Sequence, residues 1–273
     1  MRGQCQKRTN TTIVLVDSIS DFSAGGSPCV VVTGSHCGIG VAQYLARAAV
    51  CGLLGNDAGA RSGAAALATL DRFGVPAATV SSATARIGRA GDTLEHGVVS
   101  ALNAMAAQAG LRRGMRGREA AARLDGYMPV ILPEKVGYRP RRRSLAAPSA
   151  RPIVLVDSAS LVVRADAGAV IVTGSHGGLV GGLVSRGLRA NAALAIFNDA
   201  GKGIAASGIE RLAVLESAGV PAAAIAAGSA RIGSALSTYR TGMLSAVNNQ
   251  ALAAGLRIGM AAKDAVWAIA SVP

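Results

Sequence analysis

The chain has 273 residues, 51% of them apolar but only 3% aromatic, with 35 glycines and a formal net charge of +13. That length suffices for one large domain or two modest ones, each with a proper core, and no apolar run approaches the roughly 18 residues that would span a bilayer. The four cysteines, Cys5, Cys29, Cys37 and Cys51, form no CxxC pair, so buried thiols in a reducing cytoplasm are expected ahead of a disulfide framework or cysteine metal site.

The opening MRGQCQKRTN is polar and lacks the apolar centre of a secretory signal. TIVLVDS follows as a short β-branched run ending in polar residues, and CVVVTG is a second run that stops at a glycine turn. After the glycines, VAQYLARAAV suits a helix, and CGLLGNDAG reads as another buried strand. SGAAALATLDRFG has a serine at its start and a glycine just past its end, the capping asymmetry of a helix. VPAATVSS is a further strand, and a long helix is expected over roughly 93–109.

From Arg112 to Arg143 the chain carries ten basic and three acidic residues, which places +7 of the +13 there. A basic connector of this kind is read as a solvated surface; few aromatics interleave the arginines to stack on bases, so nucleic acid is not the expected partner. Beyond it the pattern returns. IVLVDS and VTGSH recur at an offset of 140 (Ile13 and Ile153, Val32 and Val172), NDAG at 142 (Asn56 and Asn198), and GVPA and ARIG at 145 (Gly74 and Gly219, Ala85 and Ala230). In the second occurrence AVIVTG, ALAIFNDAG and VPAAAIAA are the strands, and GLVSRGLRAN, SGIERLAVLESAG and a stretch over roughly 238–253 are the helices. The expectation is an internally duplicated α/β protein: a first repeat over residues 1–115, a basic connector over 116–150 and a second repeat over 151–273. Each repeat would be a three-layer unit with a mostly parallel sheet, and a pseudo-twofold axis would relate the two.

Ligands in open parallel sheets bind beyond the carboxyl ends of the strands. The polar blocks that occur twice all fall there: Asp17 and Ser18 with Asp157 and Ser158; Gly34, Ser35 and His36 with Gly174, Ser175 and His176; Asn56 and Asp57 with Asn198 and Asp199; and Arg86 with Arg231. The TGSH turns can aim several N–H groups at one anion, although they match neither the P-loop nor GxGxxG. The chemistry these residue types suggest is proton transfer by His36 or His176, orientation by Asp57 or Asp199, hydroxyls from Ser35 and Ser175, and an extra cation, Lys202, in the second repeat alone. Asp17, Ser18, Asp157, Ser158, Gly34, Gly174, Asn56, Asn198, Arg86 and Arg231 would bind the substrate. The expected function is an enzyme acting on a small polar or anionic metabolite, a hydrolase of C–N or ester bonds or a proton-transfer isomerase or lyase; a non-catalytic metabolite-binding module and an oligomeric scaffold are the alternatives. No cofactor is expected. The two histidines with Asp17, Asp57, Asp157 and Asp199 offer donors for a divalent metal, without a local HxH, HxxxH or HxxE spacing to support it. A cytoplasmic homo-oligomer with no membrane partner completes the expectation.

Overall fold

A computed structural model of the chain describes residues 11–146 and 148–272. The first ten residues, with Cys5 and the polar opening read above as no signal, lie outside them. One sheet sets β1 (Thr12–Val16), β2 (Cys29–His36), β3 (Ala49–Asn56) and β4 (Ala77–Val80) side by side and parallel. It is completed by β5 (Val99–Leu102), antiparallel to β4, and β6 (Val130–Ile131), antiparallel to the start of β3. The other sheet contains β7 (Arg142–Ser144), β8 (Ile153–Val156), β9 (Val170–His176), β10 (Leu194–Asn198), β11 (Ala222–Ile225) and β12 (Leu244–Val247); its four central strands are parallel and its two edges antiparallel. The chain is therefore α/β, with two six-stranded, mostly parallel mixed sheets.

Strands buried on both faces need runs of consecutive apolar side chains, and Cys29–Val32 and Leu194–Phe197 supply them. Val31 and Leu53 pack toward α1 (Val41–Tyr44) and α2 (Ala66–Arg72), whereas their neighbours Val30, Val32 and Leu54 pack on the other side. That second side carries α3 (Ala90–Glu95), α4 (Ala104–Gln108) and α5 (Gly117–Asp125), represented in the core by Leu94, Ala106 and Leu124. In the other sheet Ile171 and Phe197 face α6 (Glu210–Ser217). Val172 and Ile196 face α7 (Ala235–Thr241), α8 (Asn249–Ala253) and α9 (Ala262–Ala270).

Four helix expectations are corrected. The long helices over 93–109 and 238–253 are each two short helices separated by an antiparallel edge strand, β5 or β12. The break falls at glycine: a Cβ on Gly97 would lie 2.3 Å from the Thr93 carbonyl oxygen, and one on Gly242 would lie 2.4 Å from that of Thr238. VAQYLARAAV is helical only to Tyr44, because Arg47 takes φ +65° and the chain then enters β3 at Ala49. GLVSRGLRAN is not an α-helix: it holds one 3₁₀ turn, Val184–Arg186, and follows another, Val180–Gly182, in which Gly181 and Gly182 sit at φ +64° and +68°. Gly74 and Gly219, at φ +75° and +72°, do follow α2 and α6 closely, but the serines expected to cap these two helices make no cap bond.

The residues expected as a connector contribute α5 and β6 to the first sheet and β7 to the second, where Arg142 pairs with the buried carboxylate of Asp166 at 2.5 Å. Among the described residues, no helix is long and apolar enough to cross a membrane.

The edge strands β5 and β12 are each followed by a buried asparagine that ties three elements together. The Asn103 Oδ1 accepts from Ala77 N (3.0 Å) and Ala106 N (2.9 Å), while its Nδ2 donates to Leu67 O (3.3 Å) and Val75 O (2.9 Å). Asn248 makes the matching four bonds to Ala222, Ala251, Leu212 and Val220. Asn103→Ala leaves two buried amides and two carbonyls without this partner and is expected to cost at least about 2 kcal/mol, read as a lower urea midpoint.

Candidate functional site

The TGSH turns are positioned by backbone pressed on backbone. A Cβ on Gly34 would lie 2.2 Å from Arg89 N, and one on Gly174 would lie 2.4 Å from Ser234 N, so only glycine lets the following loop reach the strand. Gly88 N then donates to Gly34 O, and Gly233 N to Gly174 O, both at 2.7 Å. This closeness carries Ile87 and Ile232 inward, where they bury one another with Ala58 and Ala200. Contacts between 11–146 and 148–272 are made here by main chain as well. Gly181 N donates to Gly88 O (2.7 Å), Ile204 N to Ser82 O (2.8 Å) and Ile232 N to Ser62 Oγ (3.1 Å). The carboxyl ends of β2 and β9 thus face each other, and the His36 and His176 rings meet edge to face with centroids 6.3 Å apart.

Each imidazole is fixed by its own turn. His36 Nδ1 accepts from Gly38 N at 2.9 Å, and His176 Nδ1 from Gly178 N at 3.1 Å. An Nδ1 engaged as acceptor leaves the proton of the neutral ring on Nε2. Burial lowers the His36 pKa to about 4. His176 lies well below the ordinary value through burial first, then the positive charge of Arg211 and the neighbouring His36. Both rings are therefore neutral N–H donors at pH 7.

The carboxylates read from the sequence go to backbone amides. Asp17 accepts from Ala90 N (2.8 Å) and Asp157 from Ala235 N (2.9 Å), at the first residues of α3 and α7, where a negative charge opposes the helix dipole favourably. Asp157 also accepts from Tyr138 Oη (2.6 Å) and Arg141 N (2.8 Å); burial, with Asp157 next, pushes the Tyr138 hydroxyl up to about 12. Asp57 accepts from Ser82 N (2.8 Å), and Asp199 from Gly201 N (2.8 Å), Ala227 N (2.9 Å) and Ser245 Oγ (2.8 Å), so neither carboxylate is spent on an imidazole. Asn56 and Asn198 each bridge two loop backbones. Ser35 Oγ accepts from Ile19 N (2.9 Å) and Ser175 Oγ from Ala159 N (2.8 Å). Arg86 pairs with Asp92 at 2.5 Å, whereas Arg231 and Lys202 are exposed. Of the four cysteines, Cys29, Cys37 and Cys51 are buried free thiols, and burial pushes Cys37 to about 12. Among the described residues, no three His, Cys, Asp or Glu side chains gather as a metal site would require.

What the structure does bring together is a cavity of about 130 Å³ beyond the ends of β1, β8 and β9. Ser18, Ser20, Ser158, Ser160, Ser175, Ser185, His176, Asp21, Arg186, Arg189 and Arg211 line it, so that residues from both sheets' loops share one wall. Ser18 and Ser20 bond each other at 2.8 Å, as do Ser158 and Ser160. Asp21 pairs with Arg186. Arg211, near the start of α6, is 3% exposed; its Nε and Nη1 are buried without a hydrogen-bond partner among the described residues, and its guanidinium sits 5.0 Å from the centre of the Phe197 ring. Burial, then Arg186, lowers its pKa to about 10, which leaves it charged at pH 7. Sequence reading singled out Ser18, Ser158, Ser175 and His176 of this set and missed the arginines. The signal that marks Arg211 is a mismatch: at the offset of 145 it stands against Ala66, a fully buried alanine of α2.

Compared with known proteins, the chain matches no family model, and no curated protein or solved structure shows significant similarity to it.

Depressed histidine pKa values link stability to pH. Above the unfolded value of about 6.5 both states are neutral and the native state keeps its full stability; as pH falls from there toward 4, the unfolded chain takes up protons that the native chain refuses. The unfolding free energy read from urea titrations is expected to fall over that window, by up to about 1.4 kcal/mol per pH unit per histidine, and to fall less in a His36→Gln/His176→Gln variant. Equal slopes in the two proteins would disprove the assignment.

Proposed function

We propose that the chain is an internal duplication, its two repeats related by a pseudo-twofold axis, and that it binds a small polar or anionic metabolite in the cleft where the carboxyl ends of its two sheets meet. The repeated sequence blocks and the equivalent strand pairings, β1 through β5 against β8 through β12, support the duplication. The binding reading rests on one observation: hydroxyls from both sheets' loops converge on a cavity that also holds a buried, unpartnered guanidinium. Buried polar groups left without partners inside a cavity are the feature a polar ligand satisfies.

Catalysis is the second reading, favoured by the presence of the Ser175 hydroxyl and the His176 ring in that same wall. In it, Ser175 would attack an activated acyl carbon, its proton passing through bound water to the departing group, while the neutral imidazole N–H would stabilise the developing negative charge; water would then release the acyl group, giving a hydrolase. Simple binding asks less of the site, because neither imidazole is poised to take a proton near pH 7.

The test fills the cleft with a side chain the protein already accommodates. Position 159 is alanine where the sequence match at 140 has Ile19, a residue buried against the α1 side of the first sheet. In a thermal-shift panel of phosphates, small carboxylates and neutral polyols, at least one ligand is expected to raise the melting temperature of the native chain and to leave that of Ala159→Ile unchanged. A panel that shifts both proteins alike, or neither, removes this reading. Turnover of activated esters that disappears in Ser175→Ala would decide for the catalytic form.

A further inference from the structure

We infer that the ligand carries a phosphate dianion and that Arg211 is its principal counter-charge, so that the second of the two matched stretches holds the one working site. The inference rests on the cleft reading above and narrows it to one ligand class.

The cation comes first. Among the described residues, this guanidinium with almost no exposure finds neither an ion pair nor a hydrogen bond through its side chain. Its stacking on Phe197 offsets only part of the cost of removing it from water. Buried charges are otherwise paired, so a site that keeps one unpaired is completed by an anion from outside. The charge count then sets the valence. Three arginines, Arg186, Arg189 and Arg211, line the cavity against one acid, Asp21, which is already paired with Arg186. Two positive charges are left over, which a phosphate monoester near pH 7 matches and a simple carboxylate does not. The remaining wall is made of serine hydroxyls and a neutral imidazole N–H, donors suited to the several acceptor oxygens of a phosphate.

The matched stretch fills the corresponding space with side chains. Ala66 stands where Arg211 does, Cys37 where Gly177 does, and Ile19 where Ala159 does. All three first-stretch residues are buried in the core that α1 and α2 share. The backbone frame is the same on both sides, with Ala66 N donating to Cys37 O at 2.8 Å and Arg211 N to Gly177 O at 2.7 Å. Three side-chain differences therefore separate a filled core from an open cavity with a cation in it.

The experiment compares the native chain, Arg211→Met and Ala159→Ile in calorimetric titrations with inorganic phosphate, glycerol phosphate, acetate and malonate at constant ionic strength. Phosphate and its ester are expected to bind the native chain and acetate not to; tighter binding of the ester than of inorganic phosphate identifies the ligand as a phosphorylated metabolite, the reverse as the free anion. Arg211→Met is expected to fold, with a melting temperature in phosphate-free buffer no lower than that of the native chain, and to lose about thirtyfold or more in phosphate affinity. Should Met prevent folding, Arg211→Lys takes its place, where loss of the planar fork is expected to weaken phosphate and leave the fold. Unchanged phosphate affinity in the folded variant overturns the inference. Malonate binding the native chain and Arg211→Met equally, but not Ala159→Ile, would overturn this inference and leave the cleft reading standing. Failure of every probe to bind the native chain would remove both.

Discussion

The contact on which the rest of this structure depends is the van der Waals closeness of two glycines, Gly34 and Gly174, to the loops that follow the fourth strand of each parallel run. No side chain fits between strand and loop there: an added Cβ would stand 2.2 Å and 2.4 Å from main-chain nitrogens. Because the loops are drawn that close, the first residues of α3 and α7 come within reach of Asp17 and Asp157, whose carboxylates take up the free amides of Ala90 and Ala235. Thr93 and Thr238 then donate from those helices to the carbonyls of Thr33 and Thr173, closing each helix onto its strand. Ile87 and Ile232 follow as a consequence and form the apolar centre between the TGSH turns. Packing, capping and the facing of the two strand ends are thus one arrangement, set by main-chain sterics before any side chain of the cavity is considered.

On that shared frame, the matched stretches differ mainly in what fills the space past the strand ends. One fills it with Ile19, Cys37, Val41 and Leu45, all buried. The other replaces the short helix with glycine-broken 3₁₀ turns and replaces bulk with Ala159 and Gly177. A cavity forfeits the dispersion and transfer energy of the atoms it lacks, and an unpaired buried guanidinium adds a desolvation cost. Two costs fall at one place, and the neighbouring stretch shows how both are avoided; the ligand proposed for this cavity would offset them.

How far the sequence could be read follows from which residues have more than one use. The central strands were legible because a run such as CVVVTG or ALAIFN is apolar at every position and stops at glycine or asparagine, which suits a strand covered on both faces and little else. The split helices were not, because alanine-rich stretches such as LNAMAAQAG satisfy a helical pattern on either side of a strand as short as VSAL. Glycine spacing was the cue, and Gly97 and Gly242 mark both breaks. The strand-end polar residues were located well, yet their partners were not legible: an aspartate beside a loop serves backbone amides as readily as a ligand, and Asp17, Asp57, Asp157 and Asp199 do the former. Arg211 escaped because an arginine in ERLAVLES reads as the solvent face of a helix. Only its register against buried Ala66 turns it inward.

The cation also decides what its neighbour can be. Arg211 is second only to burial in holding His176 neutral, and the Gly178 amide has already taken Nδ1, so this ring enters the cavity wall as an N–H donor. Asp21, the acid in that wall, is committed to Arg186. What faces the cavity is therefore a guanidinium, an imidazole N–H and a set of hydroxyls, with no free carboxylate among the lining residues. For the proposed ligand, a wall so short of charged acceptors would disfavour cations and offer no charge-assisted bond to a donor-rich molecule, whereas the oxygens of an anion would meet donors. In the proposed site, preference for negative charge would have two sources: the arginine itself, and the neutral state that burial, with this arginine next, gives the histidine beside it.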